Sequence, residues 1–371
     1  MRPTIAEVDL AAIRHNLRQI RNLLSPKTRI LAVVKANAYG HGALKVSAAA
    51  LAAGADGLGV AIPEEGAELR EGGFTVPILV LGLILPEQAS LVVDYDLIPA
   101  ISTRDAARAL AEAAHCKGRR ARVMVKIDTG MGRVGLKPQE ALPFIQSLQA
   151  MEGLELQGIF THLATADAAD KTFANFQLES FSALVRDLKQ AGYSSPWVSA
   201  ANSATIIDLP HGHFNMVRPG IILYGLHPSR EMHRTLEVRR AMEWKTKIVY
   251  LKEVPPGTKV GYGSTYVTRQ RTFLATLPVG YADGYSRHLS NKGSVLIGGR
   301  RCPVVGRVCM DQIMVDLGPT TDARIGDEAV LFGRQKGSEI TVDELAELAG
   351  TINYELVCAV SSRVPRVYRN E

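Results

Sequence analysis

Arg29-Ile30-Leu31-Ala32-Val33-Val34-Lys35-Ala36-Asn37-Ala38-Tyr39-Gly40-His41-Gly42 is the stretch on which the fold turns. Ile30 to Val34 form an unbroken apolar run, which suits a strand buried on both faces of a parallel sheet. A lysine follows at once. After Gly-His-Gly an Ala-rich segment predicts a helix running to Gly54, which can serve as its C-cap. On the N-terminal side, Asp9 can cap a helix whose apolar face is Ile13, Leu17, Ile20 and Leu24.

The same strand-then-helix beat continues outward from this unit. Residues 57–61, 78–82, 97–101, 122–127, 156–160, 197–200 and 214–217 read as further strands. Helices are expected at 64–71, near 87–93, at 104–114, from Pro138 and at 203–209. A long helix between them is expected to turn Phe173, Phe176, Phe181, Leu184 and Leu188 inward. About eight strands in βα alternation over roughly 225 residues is the pattern of a (β/α)8 barrel. A doubly wound open sheet is the competing fold, but it normally has fewer strands, and no Gly-x-Gly-x-x-Gly follows the first strand.

The pattern changes after a polar stretch at 227–240. Met242, Trp244, Thr246, Ile248 and Tyr250 alternate with polar residues, as in a half-buried strand. Pro255-Pro256-Gly257 marks a turn, and 295–297 with 302–305 around Gly298-Gly299 suggests a hairpin. Residues 308–315 and 329–332 are further strand candidates, and Thr341 with Glu344 predicts a capping box. The fold class is therefore α/β: a barrel over 1–235, then a mainly β domain over 236–371.

Bulk properties exclude several function classes. The chain has 371 residues and a net charge of +6, with its charges dispersed. The basic cluster at 234–240 is interrupted by Leu236, Glu237 and Val238 and reads as a solvated linker, so no nucleic-acid partner is expected. The four cysteines, Cys116, Cys302, Cys309 and Cys358, show neither metal-ligand nor disulfide spacing, and no metal is expected. The N-terminus lacks a signal-peptide core, and the apolar stretch at 76–85 is too short to span a membrane. Cytoplasm is the expected compartment, without a membrane partner.

A barrel of this type carries its active site at the C-terminal ends of the strands. That rim collects Lys35, Lys126, Arg133, His162, Asn202, Ser203, Arg218, Gly220 and Ile221. A lysine after a strand is ordinarily a solvated end. Here it faces the loops after the seventh and eighth strands, the usual phosphate site of the fold. A desolvated ε-amine opposite a phosphate cradle is what pyridoxal 5'-phosphate requires.

The chain resembles the bacterial alanine racemases over nearly its full length. The resemblance rests on Val34-Lys35-Ala36-Asn37-Ala38-Tyr39-Gly40-His41-Gly42, on 126–133, on Thr161-His162 and on Ala201-Asn202-Ser203. It continues through Val217-Arg218-Pro219-Gly220, Gly261-Tyr262-Gly263, 280–284, Cys309-Met310-Asp311 and Asn353-Tyr354. It implies interconversion of L- and D-alanine by two bases, supplying D-alanine for peptidoglycan or catabolising it. Lys35 is implied as cofactor aldimine and first base. Tyr262 is implied as the opposite base, reaching in from the partner subunit of a homodimer with shared active sites.

The resemblance also implies that Arg218 faces the pyridine nitrogen. Tyr39, Ser203, Gly220, Ile221 and Tyr354 are implied as phosphate ligands, with His162 and Asn202 also in the cofactor site. It further implies that Arg133, Met310 and Asp311 position the substrate carboxylate, that Tyr281 lines the entrance, and that Lys126 is carbamylated. Racemases of serine or basic amino acids, a cofactor-binding regulatory protein and a fold-related decarboxylase remain the alternatives.

Overall fold

The structure, a computed structural model, describes residues 2–193, 195–232 and 236–371. Arg234 of the basic cluster and the expected boundary residue Thr235 lie outside the described residues. The chain forms two compact units. One comprises Ala12–Ala38 and Ala43–Arg239; the other comprises residues 2–11, Tyr39–Gly42 and Arg240–Glu371.

The chain begins with strand β1 (Ile5–Asp9) and helix α1 (Leu10–Asn22). The Asp9 carboxylate accepts the Ala11 N–H at 2.9 Å, and Ile13, Leu17 and Ile20 are fully buried. Then come β2 (Arg29–Val33), α2 (Lys35–Tyr39), α3 (Ala43–Ala52), β3 (Gly57–Val60), α4 (Pro63–Glu71), β4 (Ile78–Leu83) and α5 (Ala89–Asp94). The alternation continues with β5 (Ile98–Ile101), α6 (Arg104–Cys116), β6 (Ala121–Lys126), α7 (Pro138–Gln149), β7 (Leu154–Phe160), α8 (Thr172–Gln190), β8 (Trp197–Ser199), α9 (Ser203–Asp208) and β9 (Met216–Val217).

Strands β2 to β9 are parallel neighbours in the order β8-β7-β6-β5-β4-β3-β2-β9. Side-chain and backbone bonds close the ring between its ends. Ser199 Oγ donates to Met216 O at 2.7 Å and Arg218 N–H to Ala201 O at 2.9 Å. Inside, Leu31, Leu79, Ile98, Met124, Phe160, Trp197 and Met216 pack into one buried cluster, the filled interior of a (β/α)8 barrel. Parallel strands put all their C-terminal ends on one rim, and this is what gathers the site.

Helix α8 corrects one expectation. Its buried stripe is Ala174, Gln177, Leu178, Phe181, Leu184 and Leu188, whereas Phe173 and Phe176 are 41% and 58% exposed. Phe176 lies about 100° around the helix from Gln177. Phe173 sits in the first turn. The two rings stack on each other, with centroids 6.1 Å apart.

The second unit is mainly β. Its strands are β10 (Met242–Lys247), β11 (Tyr250–Val254), β12 (Lys259–Val260), β13 (Tyr266–Val267), β14 (Thr272–Leu277), β15 (Ser294–Ile297), β16 (Arg300–Val305), β17 (Ile313–Gly318), β18 (Glu328–Gln335), β19 (Ser338–Ile340) and β20 (Arg366–Arg369). Helices α10 (Val342–Ala349) and α11 (Asn353–Ala359) precede the last strand. The main sheet runs β11-β14-β17-β16-β15-β18-β10-β1-β20, with β19 beside β18. The hairpin expected around Gly298-Gly299 is β15–β16. β17 starts only at Ile313, so Cys309-Met310-Asp311 lies in a loop rather than a strand. Thr341 accepts the Glu344 N–H at 3.0 Å, but the Glu344 carboxylate pairs with Arg301, leaving the capping box half made.

The N-terminal strand departs from the expected division of the chain. β1 pairs antiparallel with β10 and parallel with β20, so residues 5–9 belong to the second sheet and not to the barrel. Its sequence shows why. Ala6 and Val8 are fully buried, while Glu7 on the opposite face meets Lys245 at 2.7 Å and Arg369 at 2.5 Å. That is the period-two pattern of a one-sided strand. Among the described residues no helix is long and apolar enough to cross a membrane.

Candidate active site

The barrel rim brings together nine of the residues singled out from sequence. Lys35 follows β2 and Lys126 ends β6, with Arg133 in the exposed loop beyond. His162 follows β7, Asn202 and Ser203 follow β8, and Arg218, Gly220 and Ile221 follow β9. The loop leading to Arg133 is wound around the Asp128 carboxylate, which accepts the Gly130, Met131 and Gly132 amides at 2.7–3.2 Å. Partial burial opposes ionisation of Asp128, but these amides, with the charge of Lys126, hold its pKa below the usual carboxylate range.

The rim is strongly cationic for a buried place. Lys126 is 2% exposed; its Nζ donates to Ile127 O at 2.9 Å and lies 5.2 Å from the Phe160 ring centroid. Burial first, then the charge of Arg218, bring its pKa down to about 7; Asp128 pulls it upward, and Arg133, the weakest of the four, downward. Arg218 is also buried. It donates to Ser199 Oγ, to Thr161 O at 2.8 Å and to Ala200 O at 3.5 Å, and burial takes its pKa down to about 9. Among the described residues no carboxylate pairs with it. Burial and the charges of Arg218, Lys126, Arg133 and Lys35 push His162 well below its ordinary range, so its imidazole is neutral near pH 7.

These groups suit a phosphorylated heterocycle. Ser203 Oγ accepts the Gly220 and Ile222 amides at 2.9 and 3.4 Å, and its own hydroxyl can donate to a further acceptor such as a phosphate oxygen. Asn202 Oδ1 caps α9 through Thr205 N–H and Thr205 Oγ1, both at 3.0 Å. A buried guanidinium held by neutral oxygens can still donate to a neutral ring nitrogen.

Lys35 opens a strained turn. Ala36, Asn37, Ala38 and Tyr39 all have φ between 51° and 53°, the left-handed region, which costs a non-glycine residue roughly 1–2 kcal/mol each. Ala38 N–H donates to Val34 O at 2.7 Å, Ala43 N–H to Asn37 Oδ1 at 2.7 Å and Tyr224 Oη to Val33 O at 2.8 Å. Gly40 follows at φ +81°, where a Cβ would stand 2.2 Å from Val357 O, so only glycine fits.

The remaining candidates lie in the second unit. Tyr39 and Tyr354 face each other with ring centroids 6.1 Å apart, and burial raises the Tyr39 phenol. Tyr281 and Met310 sit on adjoining loops, joined by Tyr281 N–H to Cys309 O and Ala282 N–H to Met310 O, both 3.0 Å. Asp311 accepts from Arg363 at 2.7 Å. Tyr262 is 71% exposed in a turn between Gly261 and Gly263, beside a cavity of about 530 Å³ that it lines with Lys252, Lys259 and Cys309.

Several supporting residues were given no role from sequence, although Thr129 and Thr161 lie in the quoted motifs. Thr129 and Thr161 join hydroxyls at 2.9 Å, linking the loops after β6 and β7. Buried Gln177 accepts the Ala164 amide at 2.9 Å. Glu65 accepts the Ala36 amide at 2.6 Å. A polar residue on the buried stripe of α8 was a legible signal for Gln177; for Glu65, at the third position of a helix, the signal was a cap.

Comparison with known proteins bears on the same elements. Residues 8–228 match the family Alanine racemase, N-terminal domain, and residues 241–368 match Alanine racemase, C-terminal domain. The alanine racemase of Halothermothrix orenii is 48% identical over 370 residues, covering 100% of this chain and 98% of that protein. That of Symbiobacterium thermophilum is 49% identical over 371 residues, with coverage of 100% and 98%. Among solved structures, alanine racemase from Clostridium difficile 630 matches with a TM-score of 0.95 at 41% identity, covering 100% of this chain and 96% of that one. Alanine racemase from Bacillus anthracis with bound L-Ala-P gives 0.94 at 38% identity, with the same coverage. With both halves of one family matched in order along nearly the whole sequence, the chain belongs to the alanine racemase family.

Proposed function

We propose that this protein interconverts L-alanine and D-alanine, using pyridoxal phosphate held at the barrel rim, and that it works as a homodimer. The observation that carries the reading is the rim itself: Lys35, a phosphate cradle at Ser203 and Gly220, and a buried Arg218 that no carboxylate among the described residues pairs with, all at strand ends of one barrel. The test is incubation of the purified, cofactor-supplemented protein with L-alanine and chiral assay for D-alanine. D-Alanine formation at a rate well above those for serine, lysine and arginine is expected. Carbon dioxide release without D-alanine would overturn the reading.

Lys35 would hold the cofactor through its ε-amine. Ser203, the amides of Gly220 and Ile221, Tyr39 and Tyr354 would hold its phosphate. His162, Asn202 and Arg218 complete the surroundings, Arg218 at the ring nitrogen. Pyridoxal phosphate, when bound, supplies an electron-withdrawing ring that acidifies the α-C–H of an amino acid. Arg218 stays protonated near pH 7 and therefore leaves that nitrogen without a proton. This restrains electron withdrawal and disfavours transamination and decarboxylation.

Racemisation requires proton removal on one face of Cα and return on the other. Lys35 Nζ serves one face. Tyr262 Oη serves the other, supplied by the second unit of a partner subunit; its exposure in the single chain supports that role. Arg133, Met310 and Asp311 position the substrate carboxylate, and Tyr281 narrows the entrance. Lys126, whose pKa near 7 leaves much of it as free amine, adds to carbon dioxide with loss of one proton to give a carbamate. The new negative charge relieves the crowding of Lys126 against Arg218 and orients Arg133.

A further inference from the structure

Four consecutive left-handed residues follow Lys35, and the first of them is tied down by a carboxylate from a different helix. Glu65, on α4, splits its two oxygens. Oε1 accepts the Ala36 N–H at 2.6 Å, at the end of β2. Oε2 accepts the Ala61 N–H at 2.7 Å, at the end of β3. The distances decide between two roles. As a residue capping its own helix, Glu65 should favour the Ile62 amide, yet that contact is 3.4 Å. The shorter, charge-assisted bonds go to the turn and to the neighbouring strand end. Glu65 therefore bridges two adjacent strand ends of the rim, and the amide it holds is the one immediately after Lys35.

We propose that Glu65 is a positioning residue for the Lys35 turn. By neutralising the Ala36 amide inside a left-handed run, it fixes the backbone from which Lys35 is presented. The inference rests on the reading of Lys35 as the cofactor lysine. A carboxamide serves the position poorly. Glu65→Gln keeps one acceptor, while its –NH2 faces a backbone N–H that also needs one.

The test uses the full chain with Glu65→Ala, Glu65→Gln and, as a control for helix charge, the exposed neighbour Glu64→Ala. The first readout is hydrogen exchange of peptides spanning 33–40 in the protein without added cofactor. Exchange at Ala36 should accelerate about tenfold or more in Glu65→Ala and less in Glu65→Gln, with α4 and β6 unchanged. Glu64→Ala should match the parent. The second readout is the rate at which added pyridoxal phosphate is trapped on Lys35 by borohydride, which should fall in the same order. Unchanged exchange at Ala36 overturns the proposal, as does accelerated exchange spread equally through α4, which would mark a helix cap only. Faster exchange with an unaltered trapping rate also overturns it. An adduct on another lysine in the parent protein overturns the reading of Lys35 instead, and peptide mapping tells the two failures apart.

Discussion

The two units carry their candidate residues in opposite ways. At the barrel rim, Lys126 and Arg218 are buried, hydrogen-bonded and shifted in pKa; Lys126 ends a strand paired on both sides, and Arg218 follows one held by β2 on one side and by Ser199 and Ala201 on the other. In the second unit, Tyr262, Tyr281 and Met310 sit on turns, 71%, 43% and 53% exposed. The rim is preorganised by a closed sheet. The tyrosine turn presents its phenol largely to solvent, which suits a part completed by another surface. Catalytic groups acting on opposite faces of one carbon would then come from the rigid half of one subunit and the presented half of another.

The largest expected effect breaks the rim. On the proposed roles, Lys35→Ala would remove both the cofactor attachment and one base, so racemisation should fall by at least about 10⁴-fold in a chiral assay. Tyr262→Phe should lower it by roughly 10²–10⁴-fold while cofactor absorbance and folding survive. Mixing the two inactive chains sharpens the comparison. With the proposed shared sites, a heterodimer would have one composite site with both lesions and one with neither, so activity should return. Stable heterodimers without activity would place both bases in one chain.

Lys126 gives an intermediate effect with a pH signature. Lys126→Met should cost about 10²-fold through misplacement of Arg133, with a rise in KM for alanine. In buffer free of carbon dioxide, stability should depend on pH. Between about 7 and the ordinary 10.5 the unfolded chain holds a proton that folded Lys126 does not, so stability rises with pH across that window. Below it both states are protonated and the slope vanishes. Lys126→Met should flatten the rise in chemical denaturation. Bicarbonate should do the same in the parent protein, with a carbamate signal appearing by carbon-13 NMR.

The smallest effect lies on α8. Phe181→Ala should cost ~3–5 kcal/mol. Phe176→Ser, on the exposed side, should change stability by no more than about 0.5 kcal/mol in denaturant titration. Equal costs would return Phe176 to the core.

Much of the fold is legible in the sequence, because burial on both faces makes parallel strands into unbroken apolar runs such as Ile30–Val34. Chain order then places Lys35, Lys126, His162, Ser203 and Arg218 at strand ends without further information. Three things escaped for physical reasons. The left-handed turn at 36–39 contains no glycine, and its first amide is held by distant Glu65 just after a strand end, Val33, that distant Tyr224 holds, so local propensity carries no trace of it. Phe173 and Phe176 satisfy a helical repeat, yet what covers a helix's first turn depends on its neighbours. β1 is five residues long, and its alternation was hidden by the helix that begins at Leu10.

That short strand has a consequence for how the protein is made. β1 leaves the ribosome before every barrel strand, but its partners are β10 and β20, in register with Ala6 at Trp244 and Arg366. At ordinary elongation rates the wait is on the order of tens of seconds. Through that interval an apolar edge of Ala6 and Val8 is without its sheet, while the barrel residues between them are already being delivered. The nascent chain is thus a loop whose late stitch joins β1 to β20. A truncation of only the final few residues should leave the barrel foldable yet strip the opening strand of one of its two neighbours, and make the shortened product a client for chaperones.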